Sequence, residues 1–461
     1  MTDYTKYSFW LATSGDDLTP RPALTKSADV DVGILGAGYS GLWTAYYLLR
    51  DHPGLTVAIV DKEIAGFGAS GRNGGWCSGT FSVTPETLIE RFGIESTRDL
   101  MLAMCASVDE VGRVLDEEQV DAHFHKGGML SLARGAHQRP ALHASYASLQ
   151  RLGFGERYRL LSATETAERV NVTNVHGALF TGDGASVHPG RLVRGLARAV
   201  ERRGGTIYEQ TAVVSFEGGR DARLVTAGGE LRCRKAVVLA GEAYLTRLRA
   251  LHRVLIPVYS LIGLTEPLDD GQWARIGWRN GESLSSQRFT VDYLTRTADG
   301  RILFGSRGAR YRFGSRISDD QDRDGGTHAR IRQAIADWFP VLRGIRMTHA
   351  WGGPVGMPRD WMPTVSFDPA SRLATARGYT GQGVSTTNLA GRLLAGLITG
   401  KRTGLETLPL VQHRSPNWET EPLRWAGVRF MQKAFLEIDR ADEAGRRRPA
   451  GAALALWLGR H

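Results

Sequence analysis

The sequence contains few cysteines, and none of them forms a recognisable metal or disulfide motif. Among its 461 residues only Cys77, Cys105 and Cys233 are cysteines, and no two of them make a C-x-x-C pair. An odd number of scattered cysteines argues against a disulfide framework and against a zinc or iron–sulfur site. We therefore expect no metal centre.

Long apolar runs are also missing. The best candidate, residues 450–458, is about half the roughly 18 to 20 residues that a helix needs to cross a bilayer. The first thirty residues lack the basic start and apolar core of a secretory signal. These features predict a cytoplasmic protein with no membrane span.

The charge pattern does not match a nucleic-acid-binding protein. The formal net charge is +10, and part of the surplus lies in arginine-rich stretches such as residues 446–448. Aromatic residues are not interleaved with a long basic patch, and no nucleic-acid motif is present. We expect no nucleic-acid partner, and the surplus favours a small anionic ligand instead.

Glycine is abundant, with 56 residues, and one glycine-rich turn has a definite context. Residues 29–35 predict a strand that leads into G-A-G-Y-S-G at residues 36–41, followed by a helix over 42–49 and a second strand over 56–60. This is the order that the dinucleotide fingerprint requires. An ordinary glycine turn in an α/β domain is the alternative, and the complete strand–helix–strand context argues against it.

Each residue of that fingerprint has a physical role. Gly36 permits the tight turn, Gly38 lets the backbone approach a pyrophosphate, and Gly41 lets helix and strand pack closely. The N-terminus of the helix offers free N–H groups and a partial positive charge to the phosphates. Asp61, at the end of the second strand, can accept hydrogen bonds from the ribose hydroxyls of adenosine.

The next segment distinguishes FAD from NAD. Residues 66–75 read G-F-G-A-S-G-R-N-G-G, and such a loop can follow an extended pyrophosphate and approach a flat ring. Here the chain resembles the FAD-dependent D-amino-acid, glycine and sarcosine oxidase (DAO) family. Within that family it is similar to the γ-glutamylputrescine oxidase-like amine oxidases, in which an A-S-G-R-N-G-G loop follows the first βαβ unit.

Three further stretches carry the same resemblance. Residues 206–216 resemble a strand pair whose valine, Val213, lies against the adenine, and residues 236–241 resemble the strand and glycine that close the cofactor domain. Residues 378–385 precede a helix over 387–398 whose N-terminus, in the family, points at the flavin pyrimidine and can stabilise negative charge there. The candidate cofactor-binding residues are Gly36, Gly38, Tyr39, Ser40, Gly41, Asp61, Lys62, Gly68, Ala69, Ser70, Arg72, Asn73, Gly74, Gly75, Val213, Ala240, Gly241, Gly353, Gly381, Gln382, Gly383, Val384 and Ser385.

The predicted fold is mixed α/β, with a Rossmann-like FAD-binding domain and a substrate domain built on an antiparallel β-sheet. The FAD-binding domain is expected to be discontinuous, over residues 1–85, 186–250 and 355–410. Residues 86–185 and 251–354 form the predicted substrate domain, in which Asp299 and Gly300 mark a hairpin turn. Residues 411–461 form a C-terminal helical extension that packs on its own domain or, as the alternative, lies on a membrane or a partner.

The resemblance implies a reaction and leaves the electron acceptor open. The family removes a hydride from the carbon that bears nitrogen in an amine or amino acid and passes it to flavin N5, and the resulting imine is hydrolysed. Reoxidation by oxygen, with release of hydrogen peroxide, is the first expectation. A dehydrogenase that uses a quinone or a protein acceptor is the second, and a non-catalytic flavin-binding subunit is the third. The oligomeric state is left open.

Candidate catalytic residues come from the stretch that the family places beside the flavin ring. In the monomeric sarcosine oxidases a cysteine near this place bonds to the flavin, whereas here the aligned position falls near His349, with Trp351 as its aromatic neighbour. No cysteine follows Cys233, so non-covalent FAD is expected. The candidate substrate residues are two arginines that could bind a carboxylate and two tyrosines that could wall the pocket: Arg288, Arg307, Tyr259 and Tyr293.

Overall fold

The computed structural model describes residues 2–459, without the side chains of residues 319 and 320. Residue 1 and residues 460–461, which belong to the predicted FAD-binding domain and C-terminal extension, lie outside the described part. Within that part, no helix is long and apolar enough to cross a membrane.

The strands fall into two large sheets and one small one. In chain order they are β1 Ala28–Leu35, β2 Val57–Val60, β3 Trp76–Ser78, β4 Met129–Arg134, β5 Tyr158–Leu161, β6 Val175–Thr181, β7 Gly184–Ser186, β8 Thr206–Tyr208, β9 Val213–Glu217, β10 Arg223–Thr226, β11 Gly229–Leu239, β12 Ile256–Thr265, β13 Ser283–Ser286, β14 Asp292–Arg296, β15 Ile302–Arg307, β16 Met347–Met357, β17 Thr364–Asp368 and β18 Leu373–Arg377.

The helices cover the sheets. In chain order they are α1 Phe9–Ala12, α2 Tyr39–Asp51, α3 Pro85–Phe92, α4 Ile94–Glu117, α5 Arg139–Arg151, α6 Ala163–Arg169, α7 Pro189–Arg202, α8 Asp270–Ile276, α9 Gly325–Trp338, α10 Gly383–Thr399, α11 Leu423–Glu443 and α12 Ala452–Leu458.

The first sheet has a parallel centre. Its strand order is β17-β18-β11-β1-β2-β8, and β10 and β9 continue from β11 as antiparallel strands. The central strands are short apolar runs, as expected for parallel strands buried on both faces. Helices α2, α4, α7 and α10 pack into one large core against this sheet. Its strands come from residues 28–60, 206–239 and 364–377.

The predicted βαβ unit is confirmed as β1, α2 and β2. Helix α2 begins at Tyr39, three residues before the predicted start, because Gly38 has an extended backbone (φ −87°, ψ −176°) and acts as the N-cap. The parallel register pairs Ile34 with Ile59. The predicted strand pair over residues 206–216 is wrong as a pair, since β8 joins β2 and β9 joins β10.

The second sheet is largely antiparallel, with the order β16-β12-β15-β14-β13-β4-β6-β5. The predicted hairpin is confirmed: Gly300 (φ +77°) lies in the turn between β14 and β15. One pair departs from the antiparallel expectation, because β13 and β4 run parallel. A parallel pair needs a long crossover, and the chain passes through the first sheet between these two strands.

The C-terminal helices pack on the chain itself. In α11 the Asp439 carboxylate accepts hydrogen bonds from the backbone N–H groups of Phe289 (3.0 Å) and Thr290 (2.9 Å). Gln432 of the same helix bonds the backbone N–H of Tyr311 (3.1 Å). Helix α11 is therefore held against the loops at one end of the second sheet.

Candidate functional site

A cavity of about 460 Å³ lies where the carboxyl ends of β1, β2 and β11 face the second sheet. This edge of a parallel sheet is the usual place for a ligand in an α/β fold. The predicted site residues that line the cavity are Gly36, Gly38, Tyr39, Ser40, Asp61, Lys62, Gly68, Ala69, Ser70, Arg72, Asn73, Gly74, Val213, Ala240, Gly241, Arg288, Tyr293, Arg307, Gly353, Gly381, Gln382, Gly383 and Val384.

The glycine turn between β1 and α2 forms one wall of the cavity. Gly36 adopts φ +106°, a conformation that favours glycine. A Cβ added at Gly38 would lie 3.0 Å from Ser70 Oγ, which accepts a hydrogen bond from the Tyr39 N–H (2.9 Å). Gly41 does not line the cavity: a Cβ there would lie 2.0 Å from the Gly36 carbonyl oxygen. Its role is the close packing of helix on strand that the fingerprint predicts.

Asp61 holds this turn in place. Its Oδ2 accepts a hydrogen bond from the Ala37 N–H (2.7 Å), and its Oδ1 accepts one from the Glu63 N–H (2.9 Å). Burial raises the pKa of Asp61 to about 6. A carboxylate can accept about four hydrogen bonds, so the predicted contact with a ribose is compatible with both backbone contacts.

Arg72 is the fixed charge of the 66–75 loop. Its guanidinium pairs with Asp322 (Nη1 to Oδ2, 2.7 Å) and donates to the Tyr244 hydroxyl (2.6 Å) and the Gly352 carbonyl (3.2 Å). Asn73 braces the same loop through the Ala69 carbonyl oxygen (3.1 Å). The loop is thereby clamped to the second sheet.

The two residues predicted to be catalytic do not line the cavity, and this corrects their assignment. Trp351 is buried beneath the 66–75 loop and donates from Nε1 to the Arg72 carbonyl oxygen (2.9 Å), so it supports the loop. His349 packs edge-to-face on Phe9, with ring centroids 5.1 Å apart. It lies four residues along β16 from Gly353, about 13 Å at the rise of a strand, which is too far to touch a ligand beside Gly353.

Two further predicted contacts are also wrong as cavity residues. Ser385 donates from Oγ to the Ser78 carbonyl (2.6 Å), which joins α10 to β3. Gly75 (φ +79°) lies at a close approach to Val187, whose carbonyl oxygen would be 2.5 Å from an added Cβ. Both residues shape the fold around the cavity.

On the side of the second sheet, strand alternation decides which candidates reach the cavity. Val258 and Ser260 of β12 line it, and Tyr259 between them points to the other face, where its hydroxyl bonds the Ser318 N–H (3.0 Å). Tyr259 is therefore a core residue. Tyr293 lines the cavity, and its hydroxyl is 2.8 Å from Ser260 Oγ.

Arg307 is a cavity-lining arginine that has no ion pair among the described side chains. It lines the cavity at the end of β15 and donates from Nη2 to the Thr380 carbonyl (3.2 Å). No described carboxylate forms an ion pair with it, and burial lowers its pKa to about 10. The guanidinium is thus a charged group at neutral pH without an anionic partner among the described side chains.

Sequence reasoning missed Glu242, which follows Gly241 directly and also lines the cavity. Its Oε2 accepts a hydrogen bond from the Gly378 N–H (2.8 Å), whereas its buried Oε1 accepts none from the described residues. Burial raises the pKa of Glu242 to about 7. An acid directly beside a motif glycine is the sequence signal that could have indicated it. In the structure Glu242 adopts a positive φ of 47°.

The cavity fits an extended dinucleotide. Helices α2 and α10 both begin at it, and their N-caps, Gly38 and Gln382, make no side-chain capping hydrogen bond. Two helix N-termini therefore offer partial positive charge, one beside the glycine turn and one toward the second sheet. Together with the glycine turn, these features define a dinucleotide-binding protein with a second sheet over its ligand.

Comparison with known proteins specifies the dinucleotide. The model of the DAO family, described as FAD dependent oxidoreductase, matches residues 31–397. The chain therefore belongs to this family, and its cofactor is FAD.

Individual relatives agree with this membership. The chain is 29% identical over 419 residues to γ-glutamylputrescine oxidoreductase of Escherichia coli strain K12, covering 90% of this chain and 93% of that protein. It is 32% identical over 394 residues to a probable oxidoreductase OrdL of Rhizobium meliloti, covering 84% and 87%. Glycine oxidase from Geobacillus kaustophilus shares the fold, with a TM-score of 0.66 at 23% identity, covering 84% of this chain and all of that one.

Proposed function

We propose that this chain is an FAD-dependent oxidase of an amine that carries an anionic group. The predicted discontinuous FAD-binding domain would hold the cofactor along the glycine turn, the 66–75 loop and the N-terminus of α10. The second sheet would present the substrate to the flavin through Tyr293 and Arg307. Relatives named for γ-glutamylputrescine and for glycine support an amine or amino acid as the substrate.

The single observation that carries the anionic group is Arg307. An enclosed guanidinium without a described carboxylate partner is costly unless a ligand supplies the anion. Its planar fork of donors matches a carboxylate, and charge-assisted bonds of this kind are the strong ones. Because Arg307 lies on the substrate sheet, we assign its anion to the substrate.

Tyr293 would form the wall beside that anion. A Cβ added at Gly74 or at Gly305 would come within 2.2 Å or 1.9 Å of the tyrosine ring. The two glycines thus admit the ring between the 66–75 loop and the sheet. Burial raises the pKa of Tyr293 to about 12, so its hydroxyl stays protonated and can donate a hydrogen bond.

The chemistry itself belongs to the cofactor. Bound FAD would accept a hydride from the carbon that bears nitrogen, and water would then hydrolyse the imine. The residues of this chain orient the substrate and exclude water around that step. Among the described residues that line the cavity there is neither a histidine nor a cysteine, which supports the proposal of non-covalent FAD.

An anaerobic reduction screen tests the proposal. Purified protein would be mixed without oxygen with N-alkyl amino acids, D-amino acids, glycine, simple diamines and γ-glutamylated diamines, and loss of the flavin band at about 450 nm would be followed. We expect bleaching by anionic amines and weaker bleaching by simple diamines. A flavin that none of these compounds bleaches would instead indicate a non-catalytic flavin-binding subunit.

The electron acceptor is tested in the second half-reaction. We propose oxygen, with release of hydrogen peroxide. Protein reduced by substrate would be exposed to air or, anaerobically, to a quinone or an artificial dye. Fast return of the flavin band in air with stoichiometric peroxide supports an oxidase. Return only with the quinone or the dye would make the protein a dehydrogenase.

A further inference from the structure

A second cavity, of about 920 Å³, adjoins the first. We call it the outer chamber. It lies against one end of the second sheet and is walled by α9, α11 and the end of α12. The two cavities share Val258, Arg288, Val291, Asp292, Arg307 and Met357 as lining residues. Arg307 therefore lies at the boundary between the flavin site and the outer chamber.

Helix α11 is a fixed wall of this chamber. The Asp439 carboxylate bonds the backbone N–H groups of Phe289 and Thr290 and also the Thr290 hydroxyl (2.6 Å). Phe289 stacks on Phe435 of the same helix, with ring centroids 5.6 Å apart and planes at 18°. The loop that carries Arg288 into both cavities is thus held by the C-terminal helix.

The charge of the chamber wall is predominantly positive. Nine basic side chains line it against five acidic ones. Three of the acids are already paired: Glu419 with Arg359, Glu443 with Arg288 and Glu437 with Lys433. In contrast, five lining arginines have no ion pair among the described side chains: Arg307, Arg310, Arg330, Arg429 and Arg440. Of these, Arg310, Arg330 and Arg440 are exposed. A pocket whose free charges are mostly of one sign raises the local concentration of ligands with the opposite sign.

We propose that the outer chamber binds an anionic tail of the amine substrate, which extends past Arg307 away from the flavin. The inference rests on the proposed function and adds a second anion to it. The aliphatic part of the tail would pass the aromatic and aliphatic side chains of the wall, and the terminal anion would meet the free arginines of α9 and α11. The C-terminal extension would then determine substrate specificity.

Two matched probes test this by binding alone. N-(5-carboxypentyl)glycine and N-hexylglycine have the same amine, the same proximal carboxylate and tails of matched length, and only the first carries a terminal carboxylate. Their dissociation constants would be measured by anaerobic calorimetry on holoenzyme whose flavin has first been reduced with dithionite, so that neither probe can be oxidised during the titration. We expect the dicarboxylate to bind about fivefold more tightly, because Arg330 and Arg440 are exposed and an exposed ion pair contributes up to roughly that factor.

A double variant and a matched control locate the effect. Arg330→Gln with Arg440→Gln removes one free charge from α9 and one from α11, and should abolish the advantage of the dicarboxylate. Arg332→Gln with Arg447→Gln changes one exposed arginine of α9 and one that follows α11, neither of which lines the chamber, and should preserve that advantage. Thermal midpoints of both double variants would verify folding.

Other outcomes overturn the proposal. Equal affinity for the two probes, or no measurable binding of either, removes the tail site even if other amines bleach the flavin. Should the chamber variants leave probe binding unchanged and slow only the reaction of reduced flavin with a short-chain quinone, the chamber serves the electron acceptor. Failure of the proposed function is separate: it shows as binding without anaerobic bleaching by any amine.

Discussion

The two sides of the main cavity differ in how far backbone or side chains form their walls. The proposed cofactor side is formed largely by backbone: the turn at Gly36–Gly38, the 66–75 loop and two helix N-termini. The proposed substrate side consists of side chains on a sheet, among them Tyr293 and Arg307. A site made of backbone depends on where glycines can stand, and a site made of side chains depends on strand faces and neighbours. A Cβ added at a tight backbone position such as Gly41 would therefore collide, whereas a changed side chain such as Arg307 should appear as a change in affinity.

The largest effect is expected on the cofactor side, from Gly41→Val. The added Cβ would lie 2.0 Å from the Gly36 carbonyl oxygen, and the backbone of β1 and α2 cannot give way without opening the turn. Overpacking of this kind costs about 3 kcal/mol or more. We expect a large drop in thermal midpoint and loss of co-purified FAD, measured by differential scanning calorimetry and by flavin absorbance.

Gly54→Ala is the matched control, because a Cβ there meets nothing within 4 Å. It should retain FAD and the wild-type midpoint. If Gly41→Val also retained both, the cofactor side would be more plastic than its backbone contacts indicate.

On the substrate side, Arg307→Gln should leave FAD bound and weaken anionic substrates. Loss of a charge-assisted pair is worth about 1.5 to 3 kcal/mol, or roughly ten- to a hundredfold in KM or in the dissociation constant. Arg307→Lys keeps the positive charge without the planar fork of donors, so its affinity for anionic substrates should lie between those of wild type and Arg307→Gln. Steady-state kinetics, together with anaerobic calorimetry on the chemically reduced enzyme, measure this.

Arg332→Gln, on an exposed arginine of α9, is the control for that series. A variant at Arg307 that loses FAD, and keeps its affinity for substrate once FAD is restored, would move Arg307 to the cofactor side. Arg307 would then act together with the N-terminus of α10, which it contacts through the Thr380 carbonyl.

The same contrast explains what the sequence could predict. The glycine turn, β1, α2, β2 and most cavity-lining motif residues were predictable, because a βαβ turn demands glycine at fixed spacing. Tyr259 could not be separated from its neighbours without the register of β12, since a shift of one residue exchanges the two faces of a strand. Trp351 and His349 both lie on β16 of the second sheet. Only the three-dimensional position of the 66–75 loop shows that Trp351 is covered by this loop and that His349 lies away from the cavity.

A smaller effect concerns pH and the carboxyl group of Glu242. Burial raises its pKa in the folded protein to about 7, from the 4.5 of an exposed glutamate side chain. Between these values the folded state binds more protons than the unfolded state, so this group makes stability fall as pH rises from about 4.5 to 7. Asp61, with a pKa of about 6, acts in the same direction over the lower part of this window.

Glu242→Gln should therefore flatten the pH dependence of the thermal midpoint of FAD-free protein between pH 5 and pH 7.5. The variant should gain most over wild type at the higher pH. Glu90→Gln, at an exposed position of α3, should keep the wild-type slope. If the thermal midpoints of Glu242→Gln and wild type changed with pH at the same slope, burial would not raise the pKa of the Glu242 carboxyl.

The smallest effect is expected from His349→Ala, which tests the boundary of the substrate side. His349 was predicted as a catalytic residue, yet its ring contacts Phe9 and its Nδ1 lies 2.9 Å from the Thr348 hydroxyl, outside the cavity lining. Removing a partly exposed ring costs little, on the order of 0.5 kcal/mol. The anaerobic reduction rate should stay within about twofold of wild type, because no transition-state contact is lost, and the pH profile should keep its shape. A large fall in that rate with an unchanged thermal midpoint would bring His349 back to the reacting centre, and would mean that the second sheet moves relative to the cavity when substrate binds.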